Sequence, residues 1–112
     1  MDDAQKNRIM LVQELEYNMQ NIIAQKNAIS SQLMEIDNTL SELNNYQGEV
    51  HSIVGPVMIV SDKDKVIKDL NSRKEVISLR LQKIEKQEED IKKKYDNIQK
   101  EVIRDMNSKR GE

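Results

Sequence analysis

From residue 12 onward, apolar residues recur at alternating spacings of three and four, and this rhythm limits the possible folds more than any other feature. Val12, Leu15, Met19, Ile22, Ile29, Leu33, Ile36, Leu40 and Leu43 share one register, which only Lys26 interrupts. That is the a/d pattern of a coiled coil, held over about five heptads. The d positions are Leu, Ile, Ile, Ile and Leu, and the other faces carry more neutral Gln and Asn than charge. No Gly or Pro occurs before Gly48, so the spacing predicts a helix over 9–46, with 1–8 as a tail. At ~1.5 Å per residue such a helix runs roughly 55 Å.

A second run follows the same rule. Ile67, Leu70, Ile77, Leu81, Ile84, Ile91, Tyr95, Ile98 and Val102 share a register, with Lys74 and Glu88 as polar interruptions. Glu88, Glu89 and Asp90 precede Lys92, Lys93 and Lys94 by one helical turn, an order worth a few tenths of a kcal/mol per pair. The charge run reads as a solvated face. Ser61 is the expected N-cap, with Asp62 and Asp64 in the first turn. The predicted helix spans 63–106, and 107–112 is a tail. For Lys26, Lys74 and Glu88 in the seam two roles are open: fixing register, or marking hydrated weak points.

Two helices with matching seams and a short connection fold back on each other. The expected class is mainly α: a long antiparallel two-helix coiled coil, with both termini at one end and residues 47–62 at the other. Neither helix is stable alone, because stability comes from the seam rather than from propensity. Composition agrees with a thin fold. Apolar residues are 37% and charged residues 34% of 112, with three Tyr and no Phe or Trp, too few bulky side chains for a broad core. Such a composition also suits disorder, but the strict periodicity points away from it. The formal charge of −2 is interspersed along the chain, so no field attracts nucleic acid. The absence of Cys removes disulfide and thiolate chemistry and fits a reducing, cytoplasmic setting. The longest apolar run, Ile53 to Val60, contains Gly55-Pro56 and is too short to cross a bilayer. "MDDAQKNR" has no apolar core, so no signal peptide is expected.

The centre of the chain breaks the helical pattern. "VHSIV" and "VMIV" flank Gly55-Pro56 and are strand-like in composition. A two-residue turn fits, with Gly55 supplying the positive φ of a type II′ first position and Pro56 the negative φ of the second. Val54 then pairs with Val57, Ile53 with Met58, and Ser52 with Ile59. One face shows Val50, Ser52, Val54, Val57 and Ile59; the other shows His51, Ile53, Met58 and Val60. A lone hairpin is marginal in water, and this one has apolar residues on both faces and two open edges. Val50, Ile53, Val54, Gly55, Pro56, Val57, Met58, Ile59 and Val60 are therefore expected to form an assembly device that pairs with strands of other chains.

These residues also carry a family resemblance. "VGPVMIVSDKDKVIKDLNSRKEVISLRLQKIEKQEEDIKKKY" resembles the beta-type subunits of prefoldin. The likeness rests on the turn Val54-Gly55-Pro56-Val57, on Leu79-Arg80-Leu81, and on Ile84-Glu85-Lys86-Gln87-Glu88-Glu89. The layout covers nearly the whole chain. One departure is Val50-His51-Ser52, where beta subunits commonly have a Val-Tyr-Lys-like sequence. The resemblance implies a heterohexamer of two alpha-type and four beta-type subunits, whose hairpins form an intersubunit β-barrel from which coiled coils hang. It implies that the coiled-coil tips hold unfolded client proteins and pass them to a group II chaperonin, without nucleotide, cofactor or catalysis.

The remaining residues offer little chemistry. His51, the only His, has no Cys or carboxylate at ligand spacing and reads as a strand residue rather than a metal ligand or general base. The carboxylate clusters lie on helix surfaces with no apolar pocket, so acid–base catalysis has no support. Gly48, Gly55 and Gly111 make no phosphate-binding pattern. Near the free ends, Ile9, Met10 and Leu11 fall at e, f and g, and Ile103 and Met106 at b and e. These five gather at one tip of an antiparallel pair, either as incidental residues of fraying turns or as an adaptable apolar surface for binding clients. The expected function is an ATP-independent co-chaperone subunit without enzyme activity or nucleic-acid or membrane partners. The rival is a structural coiled-coil scaffold or tether that oligomerises through its hairpin.

Overall fold

The structure, a computed structural model, describes residues 2–110. Helix α1 spans Asp3–Asn45, strand β1 Val50–Val54, strand β2 Val57–Ser61, and helix α2 Lys63–Arg110. The chain divides into two compact units, one formed by Met1–Asn27 with Lys83–Glu112 and the other by Ala28–Gln82.

Helix α1 begins earlier than the heptad pattern predicts. The segment read as a tail over 1–8 is helical from Asp3, because Asp2 and Gln5 cap the helix reciprocally. The Gln5 amide donates to Asp2 Oδ1 at 2.7 Å, and the Asp2 amide donates to Gln5 Oε1 at 3.2 Å. This capping box satisfies amides that have no partner within the helix, and Asp3 adds an acid in the first turn. Helix α2 likewise runs past Met106 to Arg110. The expected tail over 107–112 is thus helical through its first four positions, and 111–112 lie outside the described residues.

In the unit built from the two helix ends, the segments pack antiparallel around Leu15, Ile22, Ile84 and Ile98, the buried core of the chain. Val12, Met19, Ile91 and Tyr95 are half-buried beside them, while Val102 is 37% exposed. Two helices shield a seam from only two sides, so most a/d positions keep one flank in water. The seam's polar interruption here is an ion pair: Lys26 Nζ lies 3.2 Å from Glu88 Oε1. The two interruptions therefore face each other and mark the register of these two segments. At the chain ends, the Arg8 guanidinium pairs with Asp105 and lies 4.0 Å from Glu101. Of the three acid-before-base pairs read on α2, Glu88–Lys92 and Glu89–Lys93 form, at 3.9 and 3.5 Å.

In the other unit, Ile29, Leu33, Ile36, Leu40 and Leu43 of α1 and Ile67, Leu70, Ile77 and Leu81 of α2 are all half-buried. Lys74 leaves the seam to pair with Asp37 at 2.6 Å. Strands β1 and β2 are antiparallel, with Val54 opposite Val57, Ile53 opposite Met58 and Ser52 opposite Ile59. Gly55 has φ +59°, the one positive φ among the described residues, which excludes a type I′ turn and fits the II′ geometry. Helix α2 is capped by Asp62 and not by Ser61. Asp62 Oδ1 accepts the Asp64 amide at 3.1 Å, and its carbonyl accepts the Val66 amide at 3.0 Å. Ser61 is held in strand β2, and its hydroxyl donates to Ser52 Oγ at 2.6 Å. That bond turns the Ser61 side chain across the sheet toward Ser52 and away from the helix, so the cap falls to the next residue, Asp62.

Candidate functional site

Two surfaces stand out, one in each unit. At the helix ends the five predicted tip residues are all exposed: Ile9, Met10, Leu11, Ile103 and Met106. Their positions off the a/d register explain this, since no facing helix covers e, f, g or b. The structure brings only some of them together. Ile9 and Met106 line a groove of about 490 Å³ together with Val12, Val102, Arg8 and Asp105. Met10, Leu11 and Ile103 do not line it.

Val12 and Val102, seam residues by their spacing, also line this surface. Their exposure was legible in principle, since the next layer of the seam, Arg8 and Asp105, is polar and the apolar stripe ends at these two residues. A second depression, of about 340 Å³, lies beside the first in the same unit, lined by Leu15, Met19, Ile91 and Tyr95 with Glu16, Lys92 and Asp96. Glu16 lines both.

The hairpin is the second surface. Ile53 is 74% exposed and Met58 64%, and Val54, Val57, Ile59 and Val60 are exposed as well. Each cross-strand pair shares a face, so apolar side chains project from both faces of a two-stranded sheet. Such a sheet presents more apolar surface and more open edge than a stable isolated hairpin carries. His51 is exposed on β1, opposite Val60, with a Glu49 carboxylate oxygen 3.8 Å away. Among the described residues no group of three His, Cys, Asp or Glu is placed to hold a metal ion, and no helix is long and apolar enough to cross a membrane.

Two antiparallel helical segments in one unit and a single exposed hairpin in the other define a coiled-coil subunit with a β-hairpin between its helices. The profile of the family described as prefoldin subunit matches residues 6–109, and the chain belongs to that family, which is one of non-enzymatic chaperones. Solved structures with the same fold include the prefoldin beta subunit from Thermococcus strain KS-1, at a TM-score of 0.86 and 20% identity over 90% of each chain. The prefoldin beta2 subunit from the same organism is also similar, with a TM-score of 0.72 and 14% identity over 80% of this chain and 97% of that one. A search of curated proteins gave no match.

Proposed function

We propose that this chain is a beta-type subunit of a mixed prefoldin, that it joins alpha-type and other beta-type subunits through its hairpin, and that it holds non-native proteins at its helix ends for delivery to a group II chaperonin in the cytoplasm. The holding step is ATP-independent and involves no cofactor or catalysis. One observation carries it: Ile9, Met10, Leu11, Ile103 and Met106 are exposed apolar residues on well-formed helix, where they add little to the coiled coil. A non-native client exposes apolar side chains that a native protein buries, so most of the contact energy with it comes from apolar burial, worth ~25 cal/mol per Å². Each such side chain then contributes on the order of 1 kcal/mol, and several subunits gripping one client raise the avidity.

The test replaces all five with Ser. The variant is expected to keep its helix content and its assembly, and to lose most of its ability to suppress aggregation of an unfolded protein. Protection equal to that of the parent would overturn the assignment of these residues. Assembly is measured separately, by light scattering with and without an alpha-type subunit. The isolated chain should remain a monomer or small oligomer, because two open strand edges need foreign strands to pair with.

A further inference from the structure

The two depressions at the helix ends form one interrupted groove with an acidic wall. We infer that this groove selects helical segments of a client, seating two large apolar side chains seven residues apart and placing a basic residue between them against Glu16. The inference rests on the helix ends being the client-holding surface.

The spacing follows from helix geometry. Val12 lies in the first depression and Met19 in the second, seven residues apart and so about 10 Å along α1. In an extended chain, side chains on one face recur every ~7 Å, so two neighbouring anchors fall short of the second depression and a third overshoots it. In a helix, residues i and i+7 share a face and lie about 10 Å apart, with i+3 and i+4 between them. A helix laid in the groove therefore fills both depressions, and its central residue meets the wall that they share. This is helix-in-groove recognition, with the groove supplied by two helices rather than by a globular domain.

The charges decide what the central residue is. Three carboxylates, Glu16, Asp96 and Asp105, line the depressions against two cations, Arg8 and Lys92. Arg8 is held by Asp105 and Glu101, and Lys92 lies 3.9 Å from Glu88, which pairs more closely with Lys26. Among the described residues, Glu16 and Asp96 have no cationic partner within 4.0 Å. The uncompensated charge along the groove is thus negative, and a Lys or Arg midway between the anchors completes it. Pairing in so open a groove discriminates modestly, by about fivefold, and the discrimination weakens with salt while apolar contact persists.

The test uses the full-length chain and lactam-bridged helical peptides of about four turns, with binding followed by fluorescence anisotropy. One peptide carries Leu at i and i+7 with Lys at i+3 and Glu on its outer face. A second exchanges the Lys and the Glu, so net charge is constant. A third has a single Leu. The first is expected to bind about fivefold tighter than the second and measurably tighter than the third. Glu16→Gln should erase the difference between the first two, and Ile9→Ser with Met106→Ser should weaken all three. Equal binding of the first two overturns the acidic selectivity, and equal binding of the first and third overturns the two-anchor groove; both leave client holding at the helix ends intact. Binding of none of the peptides overturns both. A concentration-dependent dimer that the peptides dissociate would make a second copy of this chain the occupant instead, and would also overturn the proposal.

Discussion

Removing Lys26 should destabilise the coiled coil more than removing its partner, Glu88. The Lys26 side chain is 36% exposed and Glu88 only 14%, with 3.2 Å between their charged atoms. At that distance the Coulomb attraction is about 5 kcal/mol for an effective dielectric of 20 and about 1 kcal/mol in bulk water. Desolvation of Glu88 offsets much of it, and solvent screening at Lys26 reduces it further, leaving a net coupling of about 1 kcal/mol. The two single changes differ in what remains behind. Lys26→Met leaves a largely covered carboxylate with Lys92 at 3.9 Å as its nearest cation, and should cost about 2 kcal/mol. Glu88→Leu leaves a lysine whose long stem lets its ammonium reach water, and should cost under about 1 kcal/mol. The double variant Lys26→Met/Glu88→Leu turns the position into ordinary apolar seam and should be at least as stable as the parent. Urea unfolding of all four proteins, followed by circular dichroism, closes the cycle. Additive losses in the double variant would refute the coupling, and a larger loss for Glu88→Leu than for Lys26→Met would refute the account of why the two partners differ.

Three further outcomes are expected. Replacing Ile53 and Ile59 with Asp puts charge on both faces of the hairpin, at several kcal/mol each once they are buried against other strands, so light scattering should show failed assembly while circular dichroism shows intact helices. Gly55→Ala meets no atom within 4 Å, so its cost is the backbone strain of φ +59° alone, about 1 kcal/mol, and thermal dissociation of the assembly should occur at lower temperature. Asp2→Ala removes the cap of α1 and should cost about 1 kcal/mol locally; hydrogen exchange should speed up in the first turn, with protection near Leu15 unchanged.

The seam and the hairpin were legible in the sequence because both are periodic. Once Val12 and Leu15 set the register of α1, and Ile67 and Leu70 that of α2, the later a/d positions of each helix follow by counting, and every one except Val102 is buried or half-buried. The hairpin register followed from one dipeptide, since a two-residue loop leaves a single way to pair Val54 with Val57. What periodicity cannot supply is the offset between two helices. Lys26 and Glu88 were both visible as breaks in the rhythm, but only the relative slide of the segments decides that they meet. The caps were missed for a different reason. Asp2 with Gln5, and Asp62 with Asp64, are local motifs one turn long, and Ser61 and Asp62 are equally suitable caps by residue type; only the sheet, which turns Ser61 toward Ser52, separates them. At the helix ends, position off the heptad identified exposed side chains, but grouping Ile9 with Met106 while leaving out Met10, Leu11 and Ile103 needed the three-dimensional groove.

The two connections that join the hairpin to its helices differ mechanically. Strand β2 ends at Ser61 and α2 starts at Lys63, so a single residue, Asp62, separates them, and that residue is fixed by its own capping bonds. Strand β1 follows α1 only after the stretch from Tyr46 to Glu49, which includes Gly48. Strand β2 is thus joined to α2 by the shortest of links, whereas the end of α1 reaches β1 through four residues. The longer link is fastened by the Lys63 ammonium, which donates to the Tyr46 carbonyl at 2.7 Å, and by the Tyr46 ring, which lies against Gly48 where a Cβ would clash. Beside the hairpin, a displacement of the sheet therefore reaches α2 through one residue and α1 through four.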